Sequence, residues 1–109
     1  MLYRPPYGAR SHAASASARR LGLVEIVWSV DSRDSGGADP RHILANVVAG
    51  LHPGAIVLMH ENRGQTLKAL KAIMRRAKSR GLRMVTVPEL LALDSPSRKQ
   101  LRLGIAGCG

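Results

Sequence analysis

The feature that most constrains this chain is the alternation of short β-branched runs with segments of helical apolar spacing. Residues 23–30 (LVEIVWSV) and 55–59 (AIVLM) are short and rich in β-branched residues, and they predict strands. Leu2-Tyr3 predicts a strand fragment. Residues 82–87 (LRMVTV) predict a further strand, followed by a proline that opens a short helix. The uninterrupted apolar character of residues 55–59 favours a strand covered on both faces.

The segments between these runs predict helices. Residues 13–20 predict a short helix, and Asp39 with the proline after it predicts the start of a second helix that ends at Gly50. Thr66 is expected to cap a third helix, which Gly81 terminates. Strands that alternate with helices imply crossover connections, so the sequence predicts an α/β fold with about four parallel strands. Such strands form either a small open sheet or an arc of a (β/α) barrel.

Composition narrows the class of protein. The chain has 109 residues, of which 45% are hydrophobic, and this is enough for a packed core. A single cysteine, Cys108, excludes an intrachain disulfide framework and a cysteine-based zinc site. No run approaches the roughly 18 apolar residues of a membrane-spanning helix. Residues 1–10 lack the apolar core of a secretory signal peptide, and the sequence leaves the localisation open.

Positive charge is the strongest compositional bias. The 17 Lys and Arg residues outnumber the 7 Asp and Glu residues, so the formal net charge is +10. One Trp, two Tyr and no Phe give little aromatic surface for stacking on bases, which argues against a nucleic-acid binder. Residues 94–109 carry a second basic cluster and predict a flexible basic tail. Many basic residues fall in the third predicted helix, between apolar residues spaced by three and four: Leu67, Leu70, Ile73, Met74 and Ala77.

Two explanations of this basic helix stay open. It forms a solvated outer face, or it offers a surface for an anionic polymer.

Polar clusters follow three of the predicted strands at their carboxyl ends, where parallel α/β folds gather their chemistry. Arg4 opens the first cluster, Asp31 and Asp34 form the second, and His60 begins the third. A carboxylate can orient and charge an imidazole, which moves a proton near neutral pH, so the clusters predict an acid–base site. Each also has a purely structural explanation: a rigid proline turn, loop or capping aspartates, and a core histidine. No two histidines have metal-ligand spacing, so no metal site is predicted in this chain.

Taken in order, these clusters resemble the motifs of the NodB-homology polysaccharide deacetylases, a carbohydrate esterase family. Residues 4–8 (RPPYG) resemble its R-x-P-Y-G motif, residues 27–35 (VWSVDSRDS) its D-x-x-D-W motif, and residues 57–60 (VLMH) its L-x-L-H motif. Three motifs in order within a matching strand–helix frame are fairly specific. The resemblance implies that residues 1–93 are the C-terminal half of a distorted NodB-homology (β/α) barrel, with residues 94–109 as the tail.

The resemblance implies a reaction and a role for each motif residue. The family hydrolyses N-acetyl or O-acetyl groups on polymers such as chitin, peptidoglycan or xylan, and it uses a divalent metal, usually zinc. By resemblance, His60 would be the general acid that protonates the leaving amine, Asp34 would pair with it and keep it charged, and Arg4 would tether the catalytic base. On the substrate and oxyanion side the resemblance places Asp31, the backbone N–H of Tyr7, and Val57 and Met59 around the acetyl methyl group.

The chain departs from the family pattern in two ways. Ser35 stands where the family has Trp, so one wall of the substrate groove is expected to differ. The family's T-F-D-D-G and H-x-x-x-H motifs, which supply the base and the metal ligands, are absent from the sequence. We therefore expect a truncated deacetylase that binds acetylated polysaccharide, holds no cofactor of its own and is inactive by itself. Arg4 would have no base to tether.

Three alternatives stay open. An open half barrel exposes sheet edges and an apolar face, so the chain could associate with itself or with a separate N-terminal half. It could instead be a glycan-binding remnant without chemistry, or a small basic nucleic-acid binder. The resemblance also implies a place outside the cytoplasm.

Overall fold

The chain folds into short parallel strands joined and followed by helices. The computed structural model describes residues 1–5, 8–61 and 64–108. No helix within these described residues is long and apolar enough to cross a membrane. The elements in chain order are β1 (Leu2–Tyr3), α1 (His12–Arg20), β2 (Val24–Glu25), β3 (Val30–Asp31), a 3-10 turn (Asp34–Gly36), α2 (Pro40–Gly50), β4 (Val57–Leu58), α3 (Gly64–Ser79), α4 (Val87–Leu93) and α5 (Arg98–Leu103).

Four strands form two parallel pairs. β1 pairs with β2, where Leu2 lies opposite Val24, and β3 pairs with β4, where Asp31 lies opposite Leu58. Parallel neighbours need a crossover, and α1 and α2 supply it for the two pairs. The predicted α/β class with parallel strands is therefore confirmed. Over the described residues the strands form two separate two-stranded sheets.

The single strand predicted at residues 23–30 is wrong, because the structure divides it into β2 and β3. Between them, the N–H of Val27 donates to the carbonyl of Ile105, and Ile26 pairs with Ile105 as an isolated bridge. Further on, the N–H groups of Ser29 and Val30 both donate to the carbonyl of Ile56, which interrupts the regular ladder. The division follows from a neighbour far along the chain that no local pattern reveals.

The strand predicted at residues 82–87 is also wrong. Residues 82–86 have no regular structure, and Val87 is already the first residue of α4. β-branched residues favour a strand only where a neighbouring strand accepts their backbone hydrogen bonds. Among the described residues, β4 pairs with β3 alone, so this segment has no partner.

The predicted helix ends are mostly confirmed. Asp39 caps α2 by accepting from the N–H of His42 at 2.9 Å. Gly81 has φ +73° and follows α3, where Leu82 donates its N–H back to the carbonyl of Ala77, as expected for a glycine stop. Thr86 caps α4, the short helix that begins about where the proline predicted it.

The buried face of α3 agrees with the predicted apolar stripe at Ile73 and Ala77 and differs from it elsewhere. Leu67 and Met74 are 60% and 47% exposed, although both were assigned to the apolar stripe. Small residues take the inner positions instead, which lets α3 approach α2 closely. The prediction that Thr66 is an N-cap is wrong too, because Thr66 lies inside the first turn and is buried. The buried residues of α3 are Thr66, Ala69, Ile73 and Ala77.

The main core lies between β3 and the two long helices. Ile43 and Val47 of α2 are fully buried, and they pack with Val30 of β3 and with Ala69 and Ile73 of α3. This core fixes the carboxyl ends of β3 and β4, where the polar motif residues follow. Burial of each such side chain contributes about 1.5–3 kcal/mol to the free energy of unfolding. The core therefore stabilises the strands whose ends carry the site.

Residues 94–109, predicted as a flexible basic tail, contain ordered structure. α5 begins at a Ser97 cap, and Ile105 beyond it is only 1% exposed. The N–H of Ile105 donates to the carbonyl of Glu25, and the N–H of Cys108 donates to the carbonyl of Gly54. This segment therefore contacts the chain beside both sheets. Backbone hydrogen bonds and the buried Ile105 thus connect residues 105–108 to the rest of the chain, and the flexibility of the tail stays a prediction.

Candidate active site

Asp34 and His60 meet at the carboxyl ends of β3 and β4. Asp34 opens the 3-10 turn after β3, and His60 follows β4 by two residues. The Nδ1 atom of His60 lies 2.7 Å from Oδ1 of Asp34, and the backbone N–H of His60 donates to Oδ2 at 2.7 Å. One carboxylate therefore holds both the ring and the main chain of the histidine.

The turn that presents Asp34 is tightly constrained. Arg33 adopts the left-handed conformation with φ 58°, the one non-glycine residue among those described that does so. This conformation costs about 1–2 kcal/mol for a residue with a Cβ. The exposed Asp31 stabilises it, because its Oδ1 accepts from the N–H of Arg33 at 2.8 Å. Asp31 thus contacts the turn at Arg33, which is the residue directly before Asp34.

A fully buried serine, Ser32, also stabilises this turn. Ser32 has no exposed surface, and its carbonyl accepts from the side-chain amide of Asn46 in α2 at 3.0 Å. The loop that carries Asp34 is in this way attached to the helix of the main core. Because the loop is attached to α2, the Asp34 carboxylate stays within hydrogen-bonding distance of His60.

Thr66 completes the surroundings of Asp34. Its hydroxyl donates to Oδ2 of Asp34 at 2.6 Å, and both residues are buried, at 5% and 3% exposure. Burial opposes ionisation of Asp34, but the hydrogen bonds from Thr66 and His60 outweigh it and lower the pKa of Asp34 to about 2. Asp34 is therefore a carboxylate at neutral pH.

This charge state fixes the orientation of the imidazole. An ionised carboxylate only accepts hydrogen bonds, so the Nδ1 atom of His60 carries a proton. Nε2 is the nitrogen left for other partners, and 39% of the His60 side chain is exposed. A buried carboxylate behind a half-exposed imidazole is an arrangement that can give or take a proton at the surface.

The remaining motif residues lie around two neighbouring cavities. Arg4 is exposed and lines a cavity of about 300 Å³ together with Trp28 and Val57. Val57 and Met59 are half-buried, and both line a second cavity of about 220 Å³. Val57 thus faces both cavities. Tyr7, predicted to bind the oxyanion, lies outside the described residues.

Thr66 is the residue of this cluster that sequence analysis misjudged. A capping role was predicted because Thr66 lies two residues after Gly64 and directly before an amphipathic segment. The usable signal was its spacing from Ala69, Ile73 and Ala77, which places a hydroxyl on a buried helix face. A buried hydroxyl requires a partner, and the nearest predicted polar group was the carboxylate after β3.

The described residues do not fit a resident metal ion. Within residues 1–5, 8–61 and 64–108, no three His, Cys, Asp or Glu side chains are close enough to share one. We therefore derive no metal-dependent step from this chain's own residues.

Sequence comparison finds deacetylases among the known relatives, although no family model matches the chain. The chain is 38% identical over 96 residues to a peptidoglycan-N-acetylglucosamine deacetylase of Bacillus cereus, a match that covers 84% of this chain and 45% of that protein. It is 32% identical over 101 residues to a chitooligosaccharide deacetylase of a Bradyrhizobium species, covering 80% of this chain and 46% of that protein. The chain thus spans about half the length of these relatives.

Structure comparison agrees. A CE4 family pseudoenzyme from Bacillus anthracis superposes with a TM-score of 0.77 at 32% identity, over 83% of this chain and 32% of that one. The predicted family resemblance is confirmed by both comparisons. This chain is a homologue of the NodB-like polysaccharide deacetylases of carbohydrate esterase family 4, and it matches them over part of their length.

Proposed function

We propose that this chain provides the general-acid side of a glycan N-deacetylase site. His60 is the general acid and Asp34 holds it. The observation that supports this role best is the two-point contact of the buried Asp34 with the ring and main chain of His60, both at 2.7 Å. A carboxylate that served only to orient an exposed ring would need just the contact with the ring. The second contact, with the main chain, fixes His60 more closely.

In the proposed step, the substrate amine takes the proton from Nε2 of His60 as its C–N bond to the acetyl carbon breaks. Asp34 accepts from Nδ1 throughout, so the imidazole stays oriented and its charged form is stabilised before transfer. Val57 and Met59 enclose the acetyl methyl group, the N–H of Tyr7 faces the oxyanion, and Asp31 borders the substrate. Arg4, on the wall shared with Val57, orients the catalytic base.

The fold proposed for this role is one arc of a (β/α) barrel, in which β1 to β4 supply the strands. Two features support this. The strands pair in parallel, and the chain superposes on proteins more than twice the length of the matched segment. The proposed partner is therefore a segment from outside these 109 residues that carries the T-F-D-D-G and H-x-x-x-H motifs.

The 109 residues by themselves are proposed to be inactive. Neither the base motif nor the metal-ligand motif occurs in the sequence, and metal-bound water with its base carries the nucleophilic step in enzymes of this kind. Acetate release from chitotetraose, measured with and without added Zn²⁺, tests this. We expect no release above background. Turnover by this chain that a chelator abolishes would contradict the proposal.

A complementation experiment tests the role of His60 directly. The chain is mixed with the part of the Bacillus cereus relative that lies outside the matched region, and acetate release from chitotetraose is measured. We expect activity from the mixture, and a loss of at least about 100-fold with His60→Ala, in line with general acid–base catalysis. His52→Ala, at an exposed histidine, is the matched control and should have no effect. Equal rates for the two variants would exclude His60 as the acid.

A second function has its own supporting observation. One of the similar structures is a pseudoenzyme of the same family, so this fold exists without the activity. The chain would then bind acetylated glycan in the cavities beside Arg4 and Val57 without hydrolysing it. Glycan binding that His60→Ala leaves unchanged, with no activity on complementation, would favour this function.

A further inference from the structure

A cavity of about 650 Å³ lies between α1 and α5, away from the Asp34–His60 pair. It is larger than the two cavities beside Val57, and we name it the basic cavity. Leu103 and the aliphatic parts of the longer side chains make most of its surface apolar. Its charged and hydrogen-bonding groups come from α1, from the two residues before α1 and from α5, and they include Arg10, Ser11, His12, Arg19, Lys99 and Arg102.

Four permanent positive charges surround this one cavity. Arg10 and Arg19 come from the α1 side, and Lys99 and Arg102 come from α5. Lys99 and Arg102 are three residues apart, so they project from the same face of α5. None of the described residues that line the cavity carries a carboxylate. Like charges gathered in this way repel one another, and an anionic ligand would relieve the repulsion.

An ion pair between Arg10 and Glu25 holds one wall of the basic cavity in place. Glu25, which is 6% exposed, accepts two hydrogen bonds from the Arg10 guanidinium at 3.1 and 3.0 Å and a third from Ser15 at 3.1 Å. The hydrogen bond from Arg10 is the main cause that lowers the pKa of Glu25. Glu25 thereby holds Arg10 against the sheet, and its single charge leaves the other cations uncompensated.

The second wall is positioned by packing and by a hydrogen bond. Gln100 lies between Lys99 and Arg102 and donates its side-chain amide to the carbonyl of Gly107 at 3.1 Å. Ile105, just beyond α5, is buried. The helix that carries the two cations is therefore docked at a defined place opposite α1.

We propose that the basic cavity binds a carboxylate-bearing glycan, so that the protein prefers an acidic polysaccharide to a neutral one. This rests on the proposed function, in which the ligand is an acetylated glycan. Relatives of the chain are named for peptidoglycan and for chitooligosaccharides. Of the sugars in these glycans, muramic acid with a free lactyl group is the one that carries a carboxylate. A nucleic acid is the weaker occupant, because the described lining has no Phe, Tyr or Trp side chain for base stacking.

Two tetrasaccharides with the same backbone test the proposal. Binding of (GlcNAc–MurNAc)₂, which carries carboxylates, and of neutral chitotetraose is measured by calorimetry at low salt. The double variant Lys99→Ala/Arg102→Ala should weaken binding of the acidic tetrasaccharide about tenfold, as expected for two lost charge-assisted contacts. Chitotetraose should be unaffected. Added salt should weaken binding of the acidic ligand alone.

A charge-matched control separates a site from general attraction. Lys68→Ala/Lys71→Ala removes two exposed cations from α3 and should leave both affinities unchanged. Equal weakening by the two double variants would overturn the proposal, because the net charge would then explain the binding. Equal affinity for the two tetrasaccharides, or no binding of the acidic one, would overturn it as well.

The calorimetric binding test can succeed or fail independently of the complementation assay, which tests the proposed function. The affinity for (GlcNAc–MurNAc)₂ that depends on Lys99 and Arg102 is measured on the chain alone, without the complementing segment. Failure of the complementation assay would leave such binding intact, whereas loss of the binding would leave the catalytic proposal intact. A single-stranded DNA 12-mer that binds more tightly than the acidic glycan, in a Lys99-dependent manner, would replace the glycan by a nucleic acid and overturn this assignment.

Discussion

Two carboxylates are buried in the described part of the chain, and their partners differ in a way that separates chemistry from structure. Asp34, beside β4, faces an imidazole and a hydroxyl. Glu25, in β2, faces a guanidinium and a hydroxyl. Both are at most 6% exposed, and both have a lowered pKa. The first pair contains a group that can exchange a proton near neutral pH, and the second contains a cation that cannot.

The exposed partner of each pair shows the same division. His60 is 39% exposed and Arg10 is 35% exposed, so each pair presents its nitrogen-bearing member to the surface. At Asp34 that surface is a place for proton transfer, whereas at Glu25 it is a fixed positive charge at the wall of the basic cavity. A buried carboxylate alone thus says little about function, and its partner decides the role.

The largest effect is expected from Asp34→Ala. The variant leaves the buried hydroxyl of Thr66 and the N–H of His60 without an acceptor, which should cost about 3 kcal/mol in free energy of unfolding. Urea denaturation measures it. Asp31→Ala, at the exposed neighbour, is the control and should cost less than about 1 kcal/mol. Equal losses would show that Asp34 is not specially held.

Acid should weaken the protein through the same group. The pKa of Asp34 is about 2 in the folded chain against an ordinary value of 3.8, so its stabilisation is complete above about pH 4 and is lost as the pH falls through 2. The shift corresponds to about 2 kcal/mol. Urea denaturation between pH 6 and pH 2 measures the loss. Asp34→Asn should flatten this dependence, leaving the parts due to Glu25 and Asp39, whose carboxyl pKa values are also lowered, and an unchanged profile would contradict the assignment.

Arg10→Met tests the other pair. It keeps much of the aliphatic bulk but removes the donors to the buried Glu25, and we expect a loss of about 1.5 kcal/mol, reduced because Arg10 is partly exposed. The pKa of Glu25 should rise in this variant. The complementation activity on neutral chitotetraose should stay unchanged, whereas a fall in that activity would break the division between the two pairs.

The smallest effect is expected from Thr66→Val, at about 1 kcal/mol for one lost hydrogen bond. The pKa of Asp34, followed by the NMR shift of its carboxyl carbon, should rise, because Thr66 is the first of the hydrogen bonds that lower it. Thr66→Ser should restore the wild-type value. If Thr66→Ser behaves like Thr66→Val, the hydroxyl is not what matters at this position.

The sequence predicts local features well where the cause is local. The caps at Asp39 and Gly81 are confirmed, because each depends on a few neighbouring residues. The approach of Asp34 and His60 was predicted because parallel strands place their carboxyl ends at one edge. The family motifs gave the same two residues by resemblance.

Features that depend on distant partners were not predictable. Residues 23–30 divide because Ile105 bonds to their backbone, and residues 82–86 form no strand because no neighbouring strand accepts them. The contact of Thr66 with Asp34 likewise joins two segments that no short-range pattern relates. The roles of Arg4, Tyr7, Val57 and Met59 stay predictions.

The backbone contacts of Ile105 and Cys108 bear on how the protein exchanges its amide hydrogens. These contacts attach one segment to the chain beside β2 and to the loop before β4. The amides of Val27, Ile105 and Cys108 should exchange slowly and together, although these residues lie outside the named strands and helices, because they are released only when both sheets open. The exchange rates of the Ile105 and Cys108 amides should therefore measure how often both sheets open.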